Sequence, residues 1–240
     1  RIADYLLHNT TQAFATSHSP YVIERFEPEQ TLLLSRGPDS SVTAKKVSDA
    51  GGLKGNDFKR FARRGLTECM LGKGAIVVEG LTEFHALPVA ARKMEESDAS
   101  LQPLDIAGAA FFDAESESAM PKFGTFFKAL GLKTFSFYDF IARPPEKKKL
   151  FTDAFDVDCE HPHAGFEMLV VNEMHVDRLW TFLDDLRSSG DNGSFVIPAE
   201  RPTDAEVKKL TTSSLKNNKG AGWAARLFEG STVAELPTTV

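Results

Sequence analysis

From residue 73 onward, short apolar runs alternate with amphipathic stretches. The runs "GAIVVEG", "LDIAGAAFFDA" and "KTFSFYDF" are predicted to be strands. Between them, "TEFHALPVAARKME" is predicted to be helical despite Pro88, and "MPKFGTFFKALG" has a proline at its start and Gly131 at its end, as helices often do. Strands that alternate with helices at this spacing indicate parallel pairing and right-handed crossovers. We therefore expect an α/β fold, with a parallel sheet flanked by helices.

The remaining segments predict further elements on both sides of this sheet. Before it, "RIADYLLHN" is a predicted helix, "QAFATSHSPYVIERF" a strand, turn and helix, "QTLLLSR" a strand, and "NDFKRFARRGLTECML" a helix after a polar linker. After it, one long helix is expected over residues 165–188 and two more between residues 203 and 229. The predicted division is an end of another unit (1–36), a linker and helix (37–72), the sheet core (73–164), and a helical subdomain that completes it (165–240).

Composition limits the classes of function. The 240 residues carry a net charge of −6, which argues against a protein that holds nucleic acid by bulk positive charge. An enzyme that meets phosphates through bound metal ions is still compatible with that charge. Cys69 and Cys159 are too few for a disulfide framework, so a cytoplasmic location is expected. No run of about 18 apolar residues occurs, so no membrane span is expected. Because the chain opens at Arg1 inside a predicted helix, we expect a fragment that lacks its N-terminal part.

Acidic residues follow each of the three predicted strands of the core. They are Glu79 with Glu83, Asp113 with Glu115, and Asp139. The carboxyl ends of parallel strands meet at one edge of a sheet, so these acids are expected to lie close together. Clustered carboxylates stay ionised only when something positive neutralises them. Oxygen ligands without a Cys/His cluster indicate Mg²⁺ or Mn²⁺, and two such ions can clamp a phosphodiester.

The segment "VVEGLTE", followed by strand, helix and a strand that ends in Asp, resembles the Toprim domain of topoisomerases, primases and nucleases. More closely, the chain resembles the OLD (overcoming lysogenization defect) family, in which an ABC-type ATPase precedes a C-terminal Toprim nuclease. "FATSHSPYVIERF" is similar to the last catalytic strand and switch histidine of that ATPase, here His18. The resemblance implies a metal-dependent DNA endonuclease, with ATP bound by the missing ATPase domain, and a role in phage defence or DNA repair. A homodimer is left open.

Two later segments extend the resemblance. "HAGFEMLV", with Glu167, is similar to the family's helical insert, and "KNNKGAGWAARL", with Lys219, to its lysine-bearing end. The resemblance implies that Glu79, Glu83 and Lys219 are catalytic. The implied metal ligands are Glu79, Glu83, Asp113, Glu115, Asp139 and Glu167.

Each of these residues also has a purely structural reading. Glu83 and Glu167 would stabilise helix N-termini, where negative charge is favoured. Asp113 and Glu115 would belong to a solvated acidic loop, and Lys219 would be a loop lysine. A lysine at the start of a helix gains nothing from the helix dipole, which favours a phosphate-facing role for Lys219. The other histidines His161, His163 and His175 lack metal-ligand spacing, and we expect them at the surface or as satisfied polar groups.

Two departures from the family pattern leave alternatives open. Toprim domains end the third strand in Asp-x-Asp, but Ile141 stands at the second of these positions, so Asp113 with Glu115 is expected to substitute. No GxxxxGK[ST] phosphate loop occurs, so the chain is not expected to hydrolyse ATP by itself. One alternative is a non-catalytic Toprim that serves regulation or dimerisation. Another is a Toprim of different chemistry, although Tyr5, Tyr21 and Tyr138 lie in no setting typical of a topoisomerase nucleophile.

Overall fold

A computed structural model of the chain describes residues 2–37, 39–51, 53, 55–61, 65–193, 195–219 and 222–240. The strands are β1 (Leu32–Arg36), β2 (Val42–Lys46), β3 (Gly74–Val78), β4 (Ala109–Asp113), β5 (Lys133–Asp139) and β6 (Val157–His161). The helices are α1 (Ile2–Asn9), α2 (Pro20–Ile23), α3 (Gly55–Phe61), α4 (Thr67–Met70), α5 (Leu81–Ser97), α6 (Leu104–Ala107), α7 (Met120–Leu130), α8 (Pro145–Ala154), α9 (Phe166–Glu173), α10 (Val176–Ser189), α11 (Asp204–Asn217) and α12 (Trp223–Glu229).

The core is a four-stranded sheet of order β4-β3-β5-β6 in which every neighbouring pair is parallel. The predicted α/β class with a parallel sheet flanked by helices is confirmed. All four strands run the same way, so their carboxyl ends share one edge. The register pairs Val78 with both Asp113 and Phe137, and Asp139 with His161. The residues that follow β3 and β5 therefore meet at that edge.

Helices cover both faces of the sheet with separate apolar clusters. On one face, α7 and α8 pack with α3 and α4 around an aromatic group that includes Phe61, Phe112 and Phe123. On the other face, α5 packs with α9 to α12 around aliphatic residues such as Leu169 and Leu227. Burial on both faces explains why the central strand β3 is a continuous apolar run rather than an alternating one.

Four predictions of secondary structure are confirmed closely. These are the strands β3 and β5, helix α5 running through Pro88, and helix α7. At the end of α7, Gly131 has a φ of 94°, the left-handed conformation that glycine adopts without strain. The two predicted helices between residues 203 and 229 are α11 and α12.

Other predictions need correction. The long helix over 165–188 is two helices, because the chain becomes extended at Met174 and His175 caps α10 by accepting from the Asp177 N–H. Residues 10–19 form no strand. The helix predicted over 56–71 appears as α3 and α4, and its residues 62–64 lie outside the described ranges.

Several elements were not predicted. Helix α6 forms in the first part of the segment that was expected to be the second strand. Residues 37–56 were expected to be a linker, yet β2 within them pairs antiparallel with the exposed strand β1. The lysine-rich run after Pro144 forms helix α8, which buries Phe151 and Ala154. Strand β6 extends the parallel sheet beyond β5.

Candidate metal and nucleic-acid site at the carboxyl edge of the sheet

Glu79 and Asp139 lie at the carboxyl ends of the two central strands. Glu79 directly follows β3 and Asp139 is the last residue of β5. Burial raises the pKa of Glu79, and the nearby carboxylates of Asp139 and Glu117 raise it further, while Lys219 and Arg143 oppose the shift. One oxygen of each acid, Oε2 of Glu79 and Oδ1 of Asp139, is buried without a hydrogen-bond partner. Glu79 and Asp139 therefore lie close enough to interact, as the parallel strand order predicted.

Glu83 lies in the first turn of α5, four residues after Glu79. Its side chain is only 6% exposed. Burial raises the pKa of Glu83 to about 8; its own backbone N–H works against this shift, and Asp139 and Glu79 add to it. A carboxyl group in this position holds a proton at neutral pH, unlike an ordinary glutamate. The helix dipole alone does not explain Glu83, because the dipole would favour its ionised form.

Glu167 approaches the same site from the other direction, in the first turn of α9. It is 3% exposed, and its Oε1 lies 3.2 Å from Nζ of Lys219 without the alignment of a hydrogen bond. The preceding Gly165 has a φ of 131°, which L-residues rarely adopt. A Cβ at this glycine would lie 3.5 Å from Oε2 of Glu167 and 3.9 Å from Oδ2 of Asp139. The glycine therefore keeps open a space that both carboxylates border.

Lys219 supplies positive charge to this group. Burial lowers its pKa, but the charges of Glu167, Glu83 and Asp139 outweigh that effect and raise it, so the ammonium group stays protonated. Its side chain is 55% exposed, which leaves it accessible to a ligand. Lys219 lies in a 3-10 turn between the end of α11 at Asn217 and the start of α12 at Trp223. A cation there is favoured by the helix dipole, so position alone is not evidence of function.

The family model described as "Overcoming lysogenization defect protein-like, TOPRIM domain" matches residues 70–140. This range holds β3, α5, β4, α7 and β5, the unit whose strand ends carry the acids. The chain contains an OLD-like Toprim domain. The resemblance inferred from "VVEGLTE" is confirmed. A search of curated proteins found no match.

A Toprim domain of this kind indicates a metal-binding function of the nuclease or primase type, directed at nucleic acid. The matched range includes Glu79, Glu83 and Asp139. It does not reach Glu167 or Lys219, which the fold nevertheless brings to the same edge. None of the helices in the described ranges has the length and hydropathy that crossing a bilayer requires.

The donor atoms of the Toprim site fit a hard divalent cation of the Mg²⁺ type. Buried oxygens without hydrogen-bond partners belong to three carboxylates, those of Glu79, Asp139 and Glu167. Within the part of the chain that the structure describes, no three or more His, Cys, Asp or Glu side chains form a preassembled metal cage. Mg²⁺ rarely needs such a cage, because it commonly binds one or two carboxylates and takes water and substrate phosphates as its other ligands.

Asp113 and Glu115 have contacts of their own on the far side of β3. Asp113 is buried at the end of the edge strand β4, and its Oδ1 accepts from the Glu115 N–H at 2.7 Å. Glu115 has a φ of 65° and forms an ion pair with Arg60. These contacts give both residues a structural role in the turn after β4. Their substitution for the acid missing at Ile141 stays a prediction.

A buried arginine that the sequence did not single out borders the site. Arg143 donates through Nε to Glu117 at 2.5 Å, pairs with Glu160, and donates through Nη2 to the carbonyl of Asp139 at 3.1 Å. Its guanidinium also lies 4.7 Å from the ring centre of Tyr138. Arg143 thus ties the end of β5 to β6 and to the loop after β4. Nothing in the local sequence "IARPPE" marks it.

The predictions for the histidines have different outcomes. His161 was expected to be a surface or satisfied polar residue, but it is buried and its Nε2 lies 2.8 Å from Oδ1 of Asp139. His163 is half-buried against Glu173 at 2.8 Å, and His175 is exposed. His18 lies exposed in the irregular segment before α2. Its role as a nucleotide sensor in an ATPase stays a prediction.

Proposed function

We propose that this chain is the nuclease part of a metal-dependent endonuclease that hydrolyses phosphodiester bonds in DNA. The proposal is supported mainly by the buried carboxylates of Glu79, Asp139 and Glu167 at the carboxyl edge of the Toprim sheet. Oε2 of Glu79 has no hydrogen-bond partner, and the oxygens of Asp139 and Glu167 that lie near His161 and Lys219 are not aligned for a hydrogen bond. Leaving such groups unpaired costs stability, so their retention favours a bound cation. The ions we propose are Mg²⁺ or Mn²⁺, two at a time.

When bound, these ions supply Lewis-acid polarisation of a phosphodiester and activation of water. Glu79, Asp139 and Glu167 would hold them. Glu83 keeps a proton near neutral pH, which suits a partner in acid–base catalysis whose pKa must lie near the working pH. Lys219 presents a protonated, half-exposed ammonium group that can stabilise negative charge developing on the phosphate.

The decisive experiment is nicking of supercoiled plasmid in Mg²⁺, Mn²⁺, Ca²⁺ or EDTA. The wild-type chain should nick in Mg²⁺ or Mn²⁺ and be silent in EDTA. Glu79→Gln and Lys219→Ala should each lower the rate by roughly 10²-fold or more, the scale for loss of one well-placed electrostatic group. Glu96→Gln and Lys216→Ala are matched controls, since both residues are exposed and remain outside the proposed site.

The result for Lys219→Ala separates charge stabilisation from folding. The variant should melt and bind Mn²⁺ as the wild type does, and Lys219→Arg should recover part of the rate because it keeps the charge. A Glu79→Gln variant that nicks plasmid at the wild-type rate would overturn the proposal. If Lys219→Ala lowers the melting temperature but leaves the nicking rate unchanged, Lys219 has no catalytic role.

The wider biological setting belongs to the same proposal. The similarity of "FATSHSPYVIERF" to an ATPase segment supports an ABC-type ATPase domain as the partner within the natural protein, with phage defence or DNA repair as the role. The proposal also includes the division of the chain into four segments, with boundaries after residues 36, 72 and 164. Cys69 and Cys159 are free thiols, which agrees with a cytoplasmic location.

A second candidate is a Toprim unit that regulates or dimerises without catalysis. Two observations favour it: Ile141 replaces an acid, and the described residues form no preassembled metal cage. This candidate predicts no nicking in any metal and no Mn²⁺ binding by calorimetry. Binding without nicking would leave a metal-dependent structural role as the better explanation.

A further inference from the structure

Residues 161–163, at the end of β6, hold Asp139 from two sides. The carbonyl of His163 accepts from the N–H of Phe140, the residue after Asp139, at 2.9 Å. The side chain of His161 reaches the carboxylate itself, with Nε2 at 2.8 Å from Oδ1. The approach is close enough for a hydrogen bond but is not aligned as one, so both atoms lack a partner by strict geometry. Residues 161–163 therefore contact both the backbone and the carboxylate at the end of β5.

The ring of His161 has only one tautomer that suits its surroundings. Its Nδ1 accepts from the backbone N–H of His163 at 3.3 Å, so this nitrogen cannot carry a proton. The proton of the neutral ring is then on Nε2, the nitrogen that lies 2.8 Å from Oδ1 of Asp139. Phe137 packs beside the imidazole with ring centres 5.2 Å apart, which restricts rotation of the ring.

His163 is itself fixed by a charged acid. Its Nε2 lies 2.8 Å from Oε1 of Glu173. The pKa of Glu173 falls to about 2: burial raises it, but hydrogen bonds from Thr239, His163 and Thr238 outweigh burial. Glu173 is thus an anion at neutral pH that accepts from these groups. The chain of contacts runs from α9 through His163 to His161 and Asp139.

We propose that His161 is a positioning residue that orients the carboxylate of Asp139 for metal binding by directing its Nε2–H at Oδ1. The inference rests on the proposed function, in which Asp139 is a metal ligand. A hydrogen-bond donor on one oxygen fixes the rotation of a carboxylate and leaves the other oxygen, here Oδ2, for the ion. Oδ2 is also the oxygen nearest to the open space beside Gly165.

A direct role of His161 as a nitrogen ligand fits the geometry less well. A ligating imidazole must have a bare Nε2, which requires the proton on Nδ1. In this structure Nδ1 faces a backbone N–H, so that tautomer would set two donors against each other. The donor role needs no such rearrangement.

The tautomer can be measured without any metal. Two-bond ¹H–¹⁵N correlation spectra of the EDTA-treated wild-type chain should show the Nε2–H form of His161, assigned with the His161→Gln variant. A spectrum of the Nδ1–H form would overturn the inference, whatever the fate of the proposed nuclease activity.

Metal affinity provides the second test, by Mn²⁺ calorimetry on variants of the 240-residue chain. His161→Leu should weaken binding by roughly 10- to 100-fold, the usual effect of removing a group that orients a ligand. His161→Gln should stay within about threefold of wild type, because the glutamine amide can reach the place of Nε2. His161→Asn should resemble His161→Leu, since its amide reaches only the place of Nδ1. His8→Leu, at an exposed histidine of α1, is the control.

Asp139→Asn tells the two possible failures apart. If it abolishes Mn²⁺ binding while His161→Leu does not weaken it, the positioning role is wrong and the metal site stands. If Asp139→Asn binds Mn²⁺ like the wild type, both the positioning role and the place of Asp139 in the proposed function are wrong. Should His161→Leu fail to fold, the contrast between His161→Gln and His161→Asn decides the question.

Discussion

Replacing Glu83 by glutamine should stabilise the metal-free protein, and by an amount that grows with pH. The pKa of Glu83 is raised from 4.5 to about 8 in the folded state, mainly by burial. Between these values the folded protein keeps a proton that the unfolded chain releases. The free energy of unfolding therefore falls as the pH rises through this window.

The magnitude follows from the two pKa values. Each pH unit between them lowers the stability by about 1.4 kcal/mol, which gives about 3 kcal/mol at pH 7 and about 5 kcal/mol above pH 8. Glutamine resembles the protonated acid and never ionises. Glu83→Gln and the wild type should thus be equally stable near pH 4.5 and diverge steadily above it.

Urea denaturation in EDTA at pH 4.5, 6, 7 and 8.5 measures this difference directly. Glu96→Gln is the matched control, because Glu96 lies on the same helix but is 69% exposed, and its stability difference from wild type should not vary with pH. The variant should keep a smaller pH slope of its own, since the pKa of Glu79 is raised as well. A constant difference between Glu83→Gln and wild type from pH 4.5 to 8.5 would refute the reasoning.

Two further substitutions test the surroundings of the site. Gly165→Ala should lower the free energy of unfolding by roughly 1–3 kcal/mol, because alanine is strained at a φ of 131°. It should also weaken Mn²⁺ binding in calorimetry, because its Cβ would enter the space between the two carboxylates. If neither quantity changes, the description of that space is wrong. Arg143→Met should destabilise the protein by about 3–5 kcal/mol in urea denaturation, because it leaves Glu117 and Glu160 without their buried partner. A stability within 1 kcal/mol of wild type at pH 7 would contradict the importance of that network.

The central strands were predictable because their burial leaves a simple pattern. β3 is covered on both faces, so its sequence is a continuous apolar run, and β5 and α7 have equally clear apolar positions. Strand β6 has no such signal. It lies at the sheet edge with the sequence "VDCEH", and its Asp158 is matched to the sheet by a hydrogen bond from Ser136 at 2.9 Å rather than by apolar packing. The segment is a strand because it pairs with β5, and its own sequence gives no signal of this.

The residues of the site likewise fall into those that the sequence pattern could predict and those that it could not. Glu79, Glu83 and Asp139 were predictable because they follow strands whose pattern is strong, and parallel pairing then brings them together. His161 was not, because its proximity to Asp139 depends on β6 and on the register that pairs the two residues. Arg143 was hidden for a related reason, since its partners Glu117 and Glu160 come from two other segments of the chain.

The acidic residues of the site lower the stability of the metal-free protein, so they are not explained by a contribution to folding. Four acids, Glu79, Glu83, Asp139 and Glu167, share one edge of the sheet, with Lys219 as a close cation. Burying them costs enough that Glu83 holds its proton near neutral pH, and Oε2 of Glu79 is buried without a hydrogen-bond partner. Apolar residues there would serve folding better. A ligand that binds only the folded state can offset the cost, and a divalent cation is the simplest one with the matching charge. The same carboxylates that destabilise the metal-free protein would then provide the metal affinity on which the proposed activity depends.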